Sequence, residues 1–292
     1  MELELKNDQI AIKVRSQGGE LRSLRELSDG TEYLWNGDPT WWKYSSPVLF
    51  PIVGKLRDGR YVVDGKTYEL PQHGLARTRE FELLRQDERA VWFELKYNEE
   101  TLAIYPFKFS LQIGYELSGR SVKVCWKVGN LDGSKPLYFS IGAHPALRCP
   151  IVAGEQFSDC YLDFGKPQSS GCYEITPEVL FLHGKRPDLK GATMPFSYEL
   201  FKNGVHVFDD LSSDSFTIRS QKSGKSITLT APGFPFLGIW TPEKGGAPFI
   251  CIEPWYGHAD YADFSGEFKD REGVIKTEPA AVFETSYTLS LG

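Results

Sequence analysis

Cysteine is scarce in this sequence, and its spacing excludes the usual thiol motifs. The 292 residues include five cysteines, an odd number, and no two of them are spaced as Cys-x-x-Cys. A zinc ribbon and a thioredoxin-type redox motif are therefore excluded. Because unpaired thiols are typical of reducing compartments, we expect a cytoplasmic protein with reduced cysteines. They are Cys125, Cys149, Cys160, Cys172 and Cys251, and the first and last lie in strand-like runs that predict core positions.

Long apolar runs and an excess of positive charge are also missing. No stretch approaches the ~20 apolar residues of a membrane span, and the N-terminal run MELELKNDQI lacks the apolar core of a signal peptide. We therefore expect no contact with membranes. The formal net charge of -6 argues against nucleic acid as a partner, because phosphate binding needs a positive field.

The common nucleotide, protease and esterase motifs are absent as well. The sequence has GKT at 65–67 and GKS at 224–226, but Arg60 and Arg219 stand where a phosphate-binding loop needs its first glycine. It contains no G-x-G-x-x-G, H-E-x-x-H or G-x-S-x-G run. The sequence therefore lacks the motifs that usually indicate dinucleotide binding, zinc-protease activity or serine-hydrolase activity.

Alternation of apolar and polar residues is the dominant pattern. It runs from Phe109 to Leu117, stops at Ser118-Gly119 and resumes from Val122 to Val128, which predicts a β-hairpin. The run RYVV-DG-KTYEL predicts a second hairpin, with a two-residue primed turn at Asp64-Gly65. The 28 glycines and 18 prolines supply the turns that an antiparallel fold requires.

Other segments complete the prediction of a single all-β domain over residues 1–292. The segment 18–27 is too short for a convincing helix and predicts a short strand with a bend. The stretch 153–195, rich in Gly, Pro and Ser, predicts long loops with short strands, anchored by its aromatic residues. Further strands are predicted near residues 9–14, 79–85, 90–97, 226–229 and 249–252.

Two segments present histidines next to small residues. His73 stands in LPQHGLAR, where Gly74 permits unusual backbone angles, so the imidazole can lie at a loop or rim. His144 follows an apolar strand and has small neighbours in GAHPAL. Taken alone, either could be an incidental histidine, in a surface turn or in the core, and Arg57 in KLRDG could be an ordinary surface charge.

A third segment, FICIEPWYGHAD, ends an apolar strand on a carboxylate. Glu253 should be partly desolvated there, which raises the pKa of its carboxyl and makes it a usable base. Trp255 and Tyr256 suit stacking on a sugar face, although a salt bridge capped by core aromatics would give the same pattern. Together the segments supply two imidazoles, a carboxylate and a guanidinium, a set that suits acid–base chemistry on a neutral polyol.

Three runs, FPIVGKLRDGRYVVDGKTYELPQHGLAR, GAHPAL and FICIEPWYGHAD, occur in this order along the chain. In order and spacing they resemble the aldose 1-epimerase (galactose mutarotase) family, in its LacX-like branch, over essentially the full length. The resemblance implies a β-sandwich of two large antiparallel sheets. It also implies interconversion of the α and β anomers of an aldohexose such as galactose or glucose, with no metal or redox cofactor.

The resemblance also implies a role for each candidate residue. Glu253 would take the proton of the anomeric hydroxyl, and His144 would protonate the ring oxygen. His73 and Arg57 would hold sugar oxygens, with Trp255 against a sugar face. Each acid–base group of this kind contributes on the order of 10²–10⁴-fold in rate.

The sequence departs from the family pattern near Gly204. LacX-like relatives tend to have an acidic residue there, so the contact of a further aspartate with sugar hydroxyls would either be missing or be replaced by Asp209 or His206. His258 and Asp260, in YGHAD, could support the site from behind, but a solvated loop is the simpler expectation.

Three alternatives remain open at this stage. A sugar-binding or sensing module without catalysis fits the departure at Gly204, and a metal-dependent cupin-like enzyme would use the two histidines and the glutamate as ligands, without the close H-x-H spacing that favours it. A hexose-6-phosphate 1-epimerase would need clustered cations for the phosphate. The candidate cations for this phosphate are Lys55, Arg57, Arg77 and Arg79.

The sequence leaves a monomer or a homodimer equally open.

Overall fold

Antiparallel strands make up about half of the chain, as the alternation predicts. The computed structural model describes the backbone of residues 1–292 and every side chain except that of Asp188. One short α-helix, α1 (Glu99–Ile104), interrupts the strands. The strands are β1 Glu2–Lys6, β2 Ile10–Arg15, β3 Glu20–Glu26, β4 Val48–Leu49, β5 Arg60–Val63, β6 Lys66–Glu69, β7 Glu82–Gln86, β8 Ala90–Lys96, β9 Phe109–Ser118, β10 Ser121–Asn130, β11 Leu137–Phe139, β12 Ile141–Ala143, β13 Ala146–Arg148, β14 Cys160–Ile175, β15 Phe181–Pro195, β16 His206–Phe208, β17 Ser215–Ser220, β18 Ser226–Thr230, β19 Phe236–Trp240, β20 Phe249–Tyr256, β21 Ile275–Thr277 and β22 Val282–Leu291.

Two large antiparallel sheets carry the fold. The larger has nine strands in the order β15-β14-β17-β18-β22-β10-β9-β8-β7. The other has the order β16-β19-β20-β12-β4, with β13 also paired to β20. Smaller sheets are formed by β1 to β3, by β5 with β6 and by β11 with β21. The prediction of an all-β sandwich of two large antiparallel sheets is confirmed.

The main core lies between the large sheets. On the nine-stranded sheet it takes the alternating residues of β9 and β10, including Phe109 and Trp126. On the six-stranded sheet it takes Ile239, Ile250 and Ile252. Because side chains alternate along β20, the residues that alternate with Ile250 and Ile252 point to the opposite face of the sheet. This face is covered by loops and is the outer face of the six-stranded sheet. None of the helices described offers the apolar length that crossing a bilayer requires.

Both predicted hairpins are present. Strands β9 and β10 pair from Phe109 with Asn130 to Ser118 with Ser121. Strands β5 and β6 are joined by Asp64 and Gly65, whose φ angles of 49° and 74° are the left-handed values that a primed turn needs. The short strand predicted within residues 18–27 is β3. Cys251 is buried as predicted, but the prediction of a core position for Cys125 is wrong, because it is only half-buried and alternates with the core residues Val124 and Trp126.

The prediction of loops over residues 153–195 is wrong. This stretch forms a long hairpin in which β14 has 16 residues and β15 has 15. Register shifts after Asp163, after Ser170 and after Tyr173 break the alternation, which hides the strands from a periodicity argument. Near its tip, Phe181 bonds to the segment after β20, with its N–H 2.9 Å from the carbonyl oxygen of Asp260. The hairpin thus reaches the outer face of the six-stranded sheet.

Candidate active site

Strand register brings His144 and Glu253 together. Strand β20 pairs with β12 through Ile141 and Tyr256, and with β13 through Ala146 and Cys251. His144 lies in the interruption between β12 and β13, directly opposite Glu253 in this register. The Nε2 atom of His144 is 3.2 Å from Oε2 of Glu253, and the side chains are only 8% and 2% exposed. Two residues 109 positions apart thus form one buried acid–base pair.

The site occupies the outer face of the six-stranded sheet, between two small apolar clusters. Glu253 shares this face of β20 with Cys251 on one side and Trp255 on the other. Cys251 belongs to a cluster with Trp35 and Phe249, whereas the Trp255 cluster includes Tyr173 and Phe181 from the long hairpin. The carboxylate is therefore surrounded by apolar groups contributed by distant parts of the chain.

Burial controls the protonation of the pair. It raises the pKa of the Glu253 carboxyl well above its usual range, and the nearby indole N–H of Trp255 offsets this only in part. Oε2 of Glu253 accepts no hydrogen bond of normal geometry from the described residues. Burial, helped by the charge of Arg77, lowers the pKa of His144 to about 3. Both shifts favour the uncharged forms.

Two tryptophans that the sequence analysis did not select enclose His144. The ring of Trp42 stacks on the imidazole, with centroids 4.5 Å apart and planes 30° apart. Trp240 meets the imidazole edge-on, at 5.7 Å. Both tryptophans are partly exposed, so they form the rim over a buried pair. A pair of adjacent tryptophans, Trp41-Trp42, in an irregular segment was the available signal.

A buried carboxylate holds the loop that carries Trp42. Oε1 of Glu20 accepts the backbone N–H groups of Ser45 at 2.6 Å and Ser46 at 3.0 Å. Arg15 and Arg22 pair with the same carboxylate. Since Glu20 is 1% exposed, these contacts fix the loop to β3.

His73 faces the same pair from a constrained loop. Its ring centroid is 5.5 Å from that of His144, edge to face. Nδ1 accepts the N–H of Gly54 at 3.1 Å, so a neutral His73 carries its proton on Nε2 and can donate from there. Burial, followed by the nearby charges, lowers the pKa of His73 well below its usual range. Its φ of 66° is left-handed, and a Cβ on the following Gly74 would overlap the Phe50 carbonyl.

Arg77, not Arg57, is the guanidinium whose charge acts on both histidines. It lies 4.9 Å from the ring centroid of Tyr44 and donates to the carbonyl of Gln72 at 2.8 Å. Arg57 donates to the carbonyl of Phe264 at 3.0 Å. Among the described residues, no hydrogen bond or ion pair joins Arg57 to either histidine or to Glu253. The sequence analysis considered Arg77 only as a cation for phosphate.

Trp255 lies beneath the site. Its indole N–H donates to the carbonyl of Ala143 at 3.2 Å, and the side chain is buried. A Cβ on Gly142 would lie 2.5 Å from this ring, and one on Gly238 would lie 2.6 Å from it. The two glycines, on the strands flanking β20, leave the space that the indole fills. The ring therefore supports Glu253 from the neighbouring position on the same face.

Asp209 and His206 lie at the β16 edge of the six-stranded sheet, so β19 and β20 separate them from β12. Asp209 follows β16, two strands away from β20, and accepts a hydrogen bond from the hydroxyl of Tyr173 at 2.6 Å while pairing with Lys185. His206 is buried, with Nε2 2.8 Å from the carbonyl oxygen of Leu200. No described hydrogen bond or ion pair joins either residue to the His144–Glu253 pair.

The expectation of a solvated loop at His258 and Asp260 is wrong. Both are buried, and His258 stacks on Phe181 with centroids 4.2 Å apart. Asp260 pairs with Arg271 and accepts the backbone N–H of Arg57 at 2.8 Å. Asp260 therefore links the loop after β20 to the loop after β4 through buried contacts.

The arrangement suits proton transfer at a small polar molecule. A carboxyl and an imidazole with opposed pKa shifts lie side by side, a second imidazole presents an N–H, and tryptophans form the rim. Cys251, His144 and Glu253 also bring one donor atom each to within 4.8 Å of one another, which makes them the described residues that could share a metal ion.

Comparison with known proteins gives one consistent result. The family model described as aldose 1-epimerase matches residues 1–276. The chain is 34% identical to the chromosomal LacX protein of Lactococcus lactis subsp. lactis over 299 aligned residues, covering 100% of this chain and 99% of that protein. The plasmid LacX protein of the same organism gives the same identity and coverage.

Two solved structures share the fold throughout. A galactose mutarotase related enzyme from Lactobacillus acidophilus has a TM-score of 0.94 at 28% identity, covering 100% of this chain and 97% of that one. A galactose mutarotase-like protein from Lactobacillus casei ATCC 334 has a TM-score of 0.90 at 29% identity, covering 100% of both chains.

Proposed function

Because the chain belongs to the aldose 1-epimerase family, in its LacX-like branch, we propose that it interconverts the α and β anomers of an aldohexose. The observation that carries the proposal is the buried pair of His144 and Glu253, with 3.2 Å between Nε2 and Oε2. A hemiacetal needs one proton removed and one proton added to open, and this pair supplies a group for each.

The proposed reaction opens and recloses the sugar ring. Glu253 takes the proton of the hydroxyl on C1 while His144 gives a proton to the ring oxygen. The bond from C1 to the ring oxygen breaks, its electron pair staying on that oxygen, and C1 becomes an aldehyde carbon. Rotation about the C1–C2 bond presents the other face, and the two proton transfers then run in reverse. No electron is exchanged with a cofactor at any step.

The pKa shifts favour the protonation states that are reached when the ring opens. Ring opening starts from an ionised Glu253 beside a protonated His144 and leaves both groups neutral. Burial disfavours charge, so it makes the ionised carboxylate a stronger base and the imidazolium a stronger acid. The neutral pair that burial favours is the protonation state that accompanies the open aldehyde. Because the two groups are in contact, they titrate as a coupled pair.

The residues around the pair suit a sugar. The Nε2–H of His73 can donate to a hydroxyl oxygen, and the exposed parts of Trp42 and Trp240 can cover the CH faces of a pyranose. The half-buried guanidinium of Arg77 adds a positive field. We keep Arg57 and Asp209 as candidate sugar contacts, with Trp255 as support for Glu253.

The hexose-6-phosphate alternative finds less support. Of its candidate cations, Arg79 pairs with Glu100 at 2.7 Å and Arg57 binds the Phe264 carbonyl. A phosphate pocket would need several of these groups to converge. A sugar-binding module without catalysis remains the alternative that the experiment must exclude.

Anomer exchange measured by polarimetry and by NMR exchange spectroscopy tests the proposal. Freshly dissolved α anomers of galactose, glucose and their 6-phosphates would be followed with the wild type, Glu253→Gln and His144→Gln. Each variant is expected to lose on the order of 10²–10⁴-fold of the catalysed rate. Glu284→Gln, at a carboxylate whose side chain is 59% exposed on β22, is the matched control and should keep it.

Two results would contradict the proposal. A wild-type rate in Glu253→Gln would remove the carboxylate from the reaction. Binding of a sugar by the wild type without any exchange above the spontaneous rate would identify a binding module instead.

A further inference from the structure

Cys251 completes a set of three metal-binding groups that the epimerase reaction does not use together. It stands two residues before Glu253 on β20, so both side chains point to the outer face. The opposite strand brings His144 to the same point. One donor atom from each lies within 4.8 Å of the other two, and all three residues are buried.

The spacing of the imidazole and the carboxylate fits a small tetrahedral ion. Zinc binds imidazole nitrogen and carboxylate oxygen at about 2.0–2.2 Å, which puts two such atoms roughly 3.4 Å apart in a tetrahedral site. Nε2 of His144 is 3.2 Å from Oε2 of Glu253. Oε2 accepts no hydrogen bond from the described residues, although Glu253 is only 1% exposed. A buried carboxylate oxygen with an unused lone pair thus points into the cluster.

The donor types select the kind of metal. A thiolate, an imidazole and a carboxylate suit zinc and similar thiophilic ions, whereas magnesium and calcium prefer sets made of oxygen atoms. Three protein ligands leave a fourth position for water or a small ligand, as in open zinc sites. The thiol and the carboxyl lose their protons when the ion binds.

We propose that His144, Cys251 and Glu253 form a binding site for Zn²⁺ or another thiophilic divalent cation, and that this ion inhibits the enzyme. A bound ion takes the lone pair of His144 and the charge of Glu253, so neither can exchange a proton with the sugar. It also occupies the place of the anomeric hydroxyl, which makes metal and sugar compete. Only this inhibitory part rests on the proposed function.

Cobalt spectroscopy tests the site without any reference to activity. Metal-free, reduced full-length protein would be titrated with Co²⁺, and the absorption band of a cobalt–thiolate bond recorded, followed by displacement with Zn²⁺. One equivalent of Co²⁺ is expected to produce the band. Cys251→Ala should abolish it and weaken Zn²⁺ binding by at least about 10–100-fold, the loss seen when even supporting groups of metal sites are removed.

Two cysteine variants serve as controls. Cys125→Ala changes a half-buried thiol on β10, in the other large sheet, and should keep the band. Cys149→Ala removes one thiol of the buried Cys149–Cys160 pair. No band in the folded wild type, or a band that survives Cys251→Ala and disappears in Cys149→Ala, would overturn the proposed site. Circular dichroism verifies that each variant is folded.

Inhibition tests the consequence. The anomer exchange rate would be measured against Zn²⁺ concentration at several sugar concentrations, each variant being compared with its own metal-free rate. We expect inhibition that sugar relieves, and at least a tenfold higher Zn²⁺ requirement in Cys251→Ala. Inhibition unchanged by Cys251→Ala would refute the inhibitory role. If the metal-free wild type shows no exchange, the proposed function fails, whereas the cobalt result still decides the metal site.

Discussion

The indole of Trp42 lies stacked on the imidazole of His144, with ring centroids 4.5 Å apart and planes 30° apart. Trp240 covers the edge of the same imidazole, so aromatic carbon replaces water on two sides of it. This desolvation is the main cause of the lowered pKa of His144. Trp42, which helps to desolvate His144, therefore comes from a loop that Glu20 holds in place, far from His144 in the sequence.

Replacement of Trp42 should weaken the acid. In Trp42→Leu the imidazole regains water, so the pKa of His144 should rise from about 3 towards 6.5. The imidazolium then becomes a weaker acid but is present in a larger fraction near pH 7, and a general acid works best with a pKa near the operating pH, so we expect the pH dependence of the exchange rate to shift with the new pKa. NMR titration of the His144 ring, assigned by comparison with His144→Gln, measures the pKa directly.

Trp41→Leu is the control for this change. Trp41 is the neighbouring tryptophan, and its ring lies 4.4 Å below the ammonium of Lys244. It should alter neither the titration of His144 nor the exchange rate. Equal behaviour of the two variants would show that the stack on His144 has no part in the chemistry.

Regular alternation let the sequence predict the sheets, and its loss explains what was missed. The hairpin from Phe109 to Asn130 keeps its register throughout, so the polarity of each residue indicates which face of the sheet it occupies. The long hairpin from Cys160 to Pro195 shifts register three times, and a periodicity argument cannot follow it. A register shift leaves the hydrogen bonding largely intact, but it moves the apolar residues from odd to even positions.

The candidate site shows the same limit. His144 and Glu253 could be selected because each ends an apolar strand with a titratable group. Their contact depends on the pairing of β20 with β12 and β13, which a single sequence does not specify. Arg77 and Trp42 reach the pair through loops, where no periodicity indicates direction. The pairing of strands distant in sequence is therefore the information that only the structure supplies.

Gly238 should be essential because it makes room for Trp255. A Cβ at this position would lie 2.6 Å from the indole, far inside van der Waals contact. Gly238→Ala must therefore displace the buried ring, and overpacking of this kind costs about 1–3 kcal/mol of unfolding free energy. Because Trp255 supports Glu253, the exchange rate should fall as well. Urea unfolding and the exchange assay measure the two effects.

Gly129→Ala is the matched control on β10. There the nearest atom to the new Cβ would be Ser110 Cβ at 3.7 Å, an ordinary contact. Alanine should leave the unfolding free energy unchanged or raise it by up to about 1 kcal/mol, through the loss of freedom in the unfolded chain. Equal stability of the two variants would mean that the indole moves without cost and does not hold Glu253.

The His144–Glu253 pair should make the protein less stable as the pH rises above neutrality. Between pH 7 and 8 the unfolded chain loses the last fraction of its imidazole proton and holds none on the carboxyl, since a free imidazole titrates near 6.5 and a free carboxyl near 4.3. The folded pair binds its proton more tightly, because burial raises the pKa of Glu253 well above its usual range. The folded state thus binds more protons, and its unfolding free energy falls with pH, by up to about 1.4 kcal/mol per unit. Between about pH 6.5 and 4.3 the unfolded chain gains the imidazole proton, so the two states differ less in bound protons and the slope that the pair contributes should shrink.

Glu253→Gln removes the titrating carboxyl, and the fall between pH 7 and 8 should shrink by this amount while Glu284→Gln keeps it. Urea unfolding at pH 6, 7 and 8 measures the slopes. An unchanged slope in Glu253→Gln would mean that the folded protein already holds Glu253 ionised at neutral pH, and that burial is not what makes it a base.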